Sequence, residues 1–235
     1  MIINQIKVQD LAEIFALPTA LMVGDVDVRI QDDGMELVCV DLAHVAMATI
    51  KAYPTMTKED GDPDILTIDI DSLNTALSKF AKSDTVDVIA RDGKVVIKTD
   101  VSKRSFRLTA PKDEKPPRVP ELELEVSASV PLAEIRKAVK FGGDVSDHYT
   151  IESIDGVLTM SSEGDEGDTA SYIIGPCSDP VKVMIQSDYM DKTIKALPTT
   201  DTITMEMTTD YPMRIKAASQ TVDVTVLIAP RIERD

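Results

Sequence analysis

The chain has 235 residues, with 25 Lys and Arg against 41 Asp and Glu and a formal net charge of -16; 28% charged residues and a mean hydropathy of -0.05 describe an ordinary globular protein. No apolar run approaches the roughly 20 residues that a bilayer span requires, MIINQIKVQD lacks the basic-then-apolar pattern of a signal peptide, and Cys39, Cys177, His44 and His148 are too few for a disulfide framework or a four-thiolate zinc site. The expectation is a cytoplasmic protein of one large or two small domains, without metal or cofactor, and 4% aromatics with no Trp argue against a base-stacking single-strand binder.

Four amphipathic segments follow one another along the chain. They begin near Val8 (VQDLAEIFALP), Asp71 (DSLNTALSKFAK), Pro131 (PLAEIRKAVKF) and Ser187 (SDYMDKTIKALP), 63, 60 and 56 residues apart. Apolar residues recur at helical spacing in each: Leu11 and Ile14; Leu73, Leu77 and Phe80; Leu132, Ile135 and Val139; Met190, Ile194 and Leu197. Asp71 and Ser187 are the expected N-caps, and Pro18 and Pro198 the expected terminators. Between the helices lie alternating β-branched runs (VDVRI, MELVCV, HVAMATI, VDVIA, KVVIKT, SFRLT). The turns Asp33-Gly34, Asp92-Gly93 and Asp155-Gly156 make these runs antiparallel meanders.

The pattern repeats in sequence as well as in spacing. LAEI occurs at Leu11–Ile14 and at Leu132–Ile135, and Leu73-x-x-x-Leu77-x-x-Phe80…Asp84-Thr85-Val86 returns as Met190-x-x-x-Ile194-x-x-Leu197…Asp201-Thr202-Ile203. Only 109–121 (TAPKDEKPPRVPE), with four prolines and no periodicity, breaks it. The predicted fold is α+β: two similar domains, 1–108 and 122–235, joined by an extended connector at 109–121. Each domain holds two β-α-β-β-β units, with the helices on one face of antiparallel sheet.

The bulk acidity hides an uneven distribution of charge. Arg136, Lys137 and Lys140 lie opposite the apolar face of the third helix, Lys192 and Lys195 opposite that of the fourth, and Lys79 and Lys82 away from Leu73, Leu77 and Phe80 on the second. Exposed basic helix faces are ordinary solvation one at a time; three repeat-equivalent ones fit that reading less comfortably. The first helix, showing Gln9, Glu13 and Ala16, has no base. Acid gathers in 59–64 and 163–168, which lack the ligand spacing of a calcium loop. No Gly-x-Ser-x-Gly, phosphate-binding loop, dinucleotide Gly pattern or His-Glu-x-x-His occurs, and the cysteines read as buried thiols rather than nucleophiles. A carboxylate hydrolase built on Asp62 or Asp165 is the enzymatic alternative.

The tail Leu227-Ile228-Ala229-Pro230-Arg231-Ile232-Glu233, with Pro212 upstream, resembles that of the PCNA-type sliding clamps of archaea and eukaryotes. So do Asp41-x-x-His44-Val45, Val145-Ser146-Asp147-His148 and Lys195-Ala196-x-Pro198, in order over essentially the whole chain. The short tail and this form of the Val-Ser-Asp-His stretch point to the archaeal type. The resemblance implies the DNA-clamp fold and a head-to-tail homotrimeric ring, as a heterologous interface that closes would give. Such a ring encircles duplex DNA without sequence specificity, and serves as polymerase processivity factor and docking platform for replication and repair proteins, with no catalysis.

On this resemblance, Lys79, Lys82, Arg136, Lys137, Lys140, Lys192 and Lys195 face the DNA. The strand holding Lys103, Ser105 and Arg107 pairs with Ser171, Tyr172, Ile173 and Ile174 of the next chain. A clamp loader places the ring on DNA, and polymerases and other partners dock through a short Gln/aromatic motif on Val40, His44, Val45, Val119, Pro120, Pro212, Leu227, Ala229, Pro230 and Ile232. The base-free first helix departs from the family pattern and favours weak, salt-sensitive DNA contact. The alternative within the same fold is an acidic protein-binding scaffold that does not encircle DNA.

Overall fold

The computed structural model describes residues 1–59, 61–110 and 117–232. Residues 111–116 of the connector, Asp60 of the first acidic cluster and Glu233 of the tail therefore lie outside the described residues. The chain divides into unit 1 (Met1–Leu42, Ala48–Val119 and Gln220–Asp223) and unit 2 (Ala43–Met47, Pro120–Ser219 and Val224–Asp235).

Unit 1 runs β1 (Ile2–Lys7), α1 (Val8–Ile14), α2 (Ala16–Ala20), β2 (Asp25–Gln31), β3 (Gly34–Val40), β4 (Ala46–Ala52), β5 (Met56–Thr57), β6 (Ile65–Asp69), α3 (Ile70–Leu77), β7 (Thr85–Arg91), β8 (Lys94–Lys98) and β9 (Lys103–Arg107). Its strands form the ladders β5-β1-β7-β8-β9 and β4-β3-β2-β6. Unit 2 runs β10 (Val126–Pro131), α4 (Leu132–Gly142), β11 (His148–Ile154), β12 (Val157–Glu163), β13 (Thr169–Pro176), β14 (Lys182–Gln186), α5 (Ser187–Ala196), β15 (Thr202–Met207), β16 (Met213–Ala218) and β17 (Val222–Ile228). Its ladders are β13-β12-β11-β14 and β10-β15-β16-β17. The α+β class and the repeated β-α-β-β-β unit are as the sequence predicts.

Alternation decides which strand residues are inside. Val26, Val28 and Ile30 of β2 are buried, as are Val183 and Ile185 of β14 and Ile203, Met205 and Met207 of β15. On α4, Leu132, Ile135 and Ala138 turn inward, and on α5 Met190, Thr193 and Ile194. Gly34 opens β3, and a Cβ built there would stand 2.2 Å from the Ala52 carbonyl oxygen, so close backbone approach demands glycine. The expected Asp33-Gly34 turn is accordingly shifted: Gly34 is the first strand residue and not the turn centre.

The fourfold repeat has a hydrogen-bond signature. The first N–H of each long helix, and of α1, has no intrahelical acceptor. In each repeat it donates to the carbonyl of the residue just before the strand that follows the other helix of the same unit. Val8 N donates to Asp84 O at 2.9 Å, Ile70 N to Gly24 O at 2.9 Å, Leu132 N to Asp201 O at 3.0 Å, and Ser187 N to Asp147 O at 2.9 Å. The two halves of each unit thus close on each other reciprocally.

Four local expectations are corrected. The first helical segment is two helices, broken at Phe15, and Pro18 lies inside α2 rather than ending it; it is the third residue there, where its missing N–H would have had no partner anyway. The cap of α3 is Asp69, whose carboxylate accepts from Ser72 N at 2.7 Å, while Asp71 sits in the first turn. Ser187 is the first residue of α5, after Gln186. Helix α3 stops at Leu77, so Phe80, Lys79 and Lys82 belong to the following turn and not to the helix. That turn is held by Asp84, whose side chain accepts from Ala81 N at 2.8 Å, and the Lys82 carbonyl accepts from Gln9 N at 3.0 Å.

Candidate functional site

The five predicted basic site residues that fall in unit 2 sit on two helices that pack side by side. Arg136, Lys137 and Lys140 are exposed on α4 and Lys195 on α5, with Lys192 half-buried. Arg136 crosses between them, its Nη2 donating to the Leu197 carbonyl at 3.3 Å. Their charge is partly answered on the same helices. Lys137 pairs with Glu134 and Lys192 with Asp188, each at 2.7 Å, at i,i+3 and i,i+4 spacing. The pairing lowers the Glu134 carboxyl below the usual range, first through Lys137 and then through the hydroxyl of Tyr172. In unit 1, Lys79 and Lys82 are exposed in the turn after α3. Among the described residues, no ion pair engages Lys79, Lys82, Lys140 or Lys195.

Both strands expected at the subunit interface are edge strands. Strand β9 ends one ladder of unit 1, with Lys103, Arg104, Ser105 and Arg107 all exposed. Strand β13 ends one ladder of unit 2. Ser171 is exposed there and Ile173 is 60% exposed, whereas Ile174 is buried and offers only backbone. Tyr172 donates to Glu134 Oε2 at 2.9 Å and packs tilted against exposed Phe141, with ring centroids 6.1 Å apart. Phe141 was missed in the sequence because it falls beyond the periodic face of α4; its apolar nature at an exposed position is the signal that points to a contact.

The tail residues are tied locally. After β17, Ala229 N donates to the Val45 carbonyl at 2.8 Å and Arg231 N to the Met184 carbonyl at 2.8 Å. Leu227 is buried, Ala229 and Pro230 are half-buried, and Ile232 is 68% exposed. His44 is exposed in the left-handed region, at φ 58°, a conformation that turns the loop before Val45. Pro212 is half-buried beside exposed Tyr211, which a Tyr-Pro pair in a turn could have flagged. Pro120 is exposed; its stem is held where Arg214 Nη2 donates to the Leu122 carbonyl at 2.8 Å and Nη1 pairs with Glu206 at 2.6 Å. In unit 1, Val40 is the half-buried last residue of β3, Val119 is exposed, and Leu42 is 93% exposed. The structure thus brings Val45 to Ala229.

Cys39 is buried in β3, where burial pushes its thiol up to about 12, and Cys177 is also buried. Among the described residues, no helix is long and apolar enough to cross a membrane.

No family model matches the chain. It is 27% identical over 224 residues to the DNA polymerase sliding clamp of Methanothrix thermoacetophila, covering 91% of this chain and 92% of that one. It is 29% identical over 229 residues to the clamp of Methanocella arvoryzae (91% and 92%), and 26% identical over 252 aligned positions to that of Thermoplasma volcanium, both of whose chains are covered in full. Among solved structures, the A. fulgidus PCNA bound to the C-terminal region of FEN-1 superposes with a TM-score of 0.88 at 22% identity, with both chains covered completely. In sequence the chain resembles the archaeal DNA polymerase sliding clamps along its whole length, and its fold is the PCNA-type clamp fold.

Proposed function

We infer that this chain is a sliding clamp. It encircles duplex DNA, keeps a DNA polymerase on its template and docks replication and repair proteins, acting by topology and not by catalysis. The observation that carries the reading is the end-to-end correspondence with proteins named DNA polymerase sliding clamp. Two clamp domains, 1–108 and 122–235, are joined by the connector 109–121, and three chains close head to tail in the cytoplasm. Strand β9 of one chain, through Lys103, Ser105 and Arg107, extends the ladder of β13 in the next, through Ser171, Tyr172, Ile173 and Ile174. Both strands end their ladders, which supports strand addition.

Lys79, Lys82, Arg136, Lys137, Lys140, Lys192 and Lys195 face the duplex. Their contacts are to phosphate, which attracts without reading bases and lets the ring slide. Ion pairing of Lys137 and Lys192 with helix carboxylates, and a first helix without bases, keep the grip weak. Partner peptides with a Gln and aromatic anchors dock on His44, Val45, Pro120, Pro212, Leu227, Ala229, Pro230 and Ile232; Val40 and Val119 join this set on the sequence resemblance alone. The FEN-1 segment on the A. fulgidus clamp supports docking of this kind.

Retention on nicked circular DNA after loading by a clamp-loader ATPase, with release on linearisation, tests the ring. Stimulation of a polymerase that persists after Lys137→Glu and Lys195→Glu together would remove the assigned DNA face. The base-free first helix favours one other reading, a scaffold of the same fold that binds proteins and not DNA. That scaffold would fail the retention assay while still binding the peptide.

A further inference from the structure

The stretch Val145-Ser146-Asp147-His148 matches the clamp pattern, yet neither the DNA-facing set nor the docking set uses it. In the structure it is a pinned corner of unit 2. The Asp147 carbonyl accepts the first N–H of α5, and His148 opens β11 opposite Gln186 of β14. The backbone of Asp147 is therefore fixed by two elements before its side chain makes any contact.

That side chain reaches the tail. Asp147 Oδ1 lies 2.5 Å from Arg231 Nη1, and the same oxygen lies 2.8 Å from His148 Nδ1, which also faces Ser146 Oγ at 3.1 Å. Arg231 is held a second time through its own N–H on the Met184 carbonyl of β14. Beyond β17 the chain has left its ladder, and Pro230 has no N–H to give. Ala229 N and Arg231 N are the tail donors that the backbone contacts of this stretch employ. Arg231 is thus where the tail is gripped by both main chain and side chain, between Pro230 and largely exposed Ile232.

We propose that Asp147 and Arg231 form a latch that holds the tail in its peptide-docking conformation, with Arg231 a positioning residue and His148 and Ser146 orienting the carboxylate. The proposal rests on the peptide-docking reading above. The latch lowers the ordering cost that the tail would otherwise meet on binding, so its loss weakens a partner without removing a contact to it. Both side chains are partly exposed, which makes the effect modest.

The test uses the full chain and a fluorescein-labelled peptide carrying a Gln and two aromatic anchors, followed by polarisation. Arg231→Met and Asp147→Asn should each weaken binding about three- to tenfold, and the exchange Asp147→Arg with Arg231→Asp should return it to within about twofold. Hydrogen exchange at the Arg231 amide is measured in the same proteins and should quicken in the single variants and slow again in the exchange. Single variants with unchanged affinity, or an exchange variant as weak as either single one, overturn the proposal. So does an Arg231 amide equally protected in every protein. Wild-type protein that does not bind the peptide, with protection lost in the single variants, overturns the docking reading and upholds the latch.

Discussion

Asp147 offers a direct electrostatic report on the tail. Arg231 first, and His148 after it, hold its carboxyl at about 2 against an ordinary 3.8. A depressed carboxylate stabilises the folded protein above its unfolded value and loses that contribution as protons return. The tail contact should therefore be complete above about pH 4 and fade as pH falls toward 2. A carboxyl-carbon NMR titration should place the Asp147 midpoint near the lower value, and Arg231→Met should move it up toward 3.8; a midpoint that ignores the substitution contradicts the pairing. Gly34 is the steric counterpart. Alanine there must displace the Ala52 carbonyl, 2.2 Å from the added carbon, at a cost of roughly 2–3 kcal/mol in urea unfolding. Alanine at Gly93, where no atom lies within 4 Å but φ is +70°, should cost less, about 1 kcal/mol.

The helices carry two kinds of information, caps and charge. Asp69→Ala removes the carboxylate bonded to Ser72 N and should cost about 1 kcal/mol, while Asp71→Ala, without that bond, should cost much less. Chemical denaturation of the two variants discriminates the caps. If α4 and α5 face DNA as proposed, their carboxylates should matter to its binding as the bases do. Glu134→Gln or Asp188→Asn frees a lysine and removes a negative charge, so duplex affinity should rise about twofold each, opposite in sign to Lys137→Gln. The logarithm of affinity should fall linearly with that of salt, and each base lost should flatten the slope by about 0.9. An unaltered slope in the Lys137 and Lys195 variants would place the DNA elsewhere. At the sheet edges, exposed bases on β9 suppress unwanted strand pairing, whereas Ile173 and Phe141 offer apolar surface on the β13 side.

At the scale of the molecule, a net charge of -16 fits the proposed encirclement of DNA only through where the charges are placed. Light scattering should find a species near 77 kDa, three chains of 25.7 kDa, and Ile173→Asp should convert it toward the single-chain mass. A wild-type chain that stays monomeric at all concentrations and salts would leave ring closure to a different partner chain. What the amino-acid sequence determined by itself was the repeated β-α-β-β-β plan. Helical periodicity and strand alternation are local, and the Asp-Thr echo sits at matching points of that plan, where β7 and β15 begin, whereas LAEI starts at the fourth residue of α1 and at the first of α4. The tail motif and the bases of α4 and α5 were legible for the same reason. Only tertiary structure decided the rest. The cap of α3 moved to Asp69 because the end of β6 sets where the helix begins, and Lys79 and Lys82 left the helix because the turn before β7 is needed to bond the start of α1. Whether Lys137 and Lys192 meet their helix carboxylates depends on rotamers. That Asp147 meets Arg231 depends on β14 bringing the tail to the corner of β11, a contact between residues distant in sequence that no local pattern encodes.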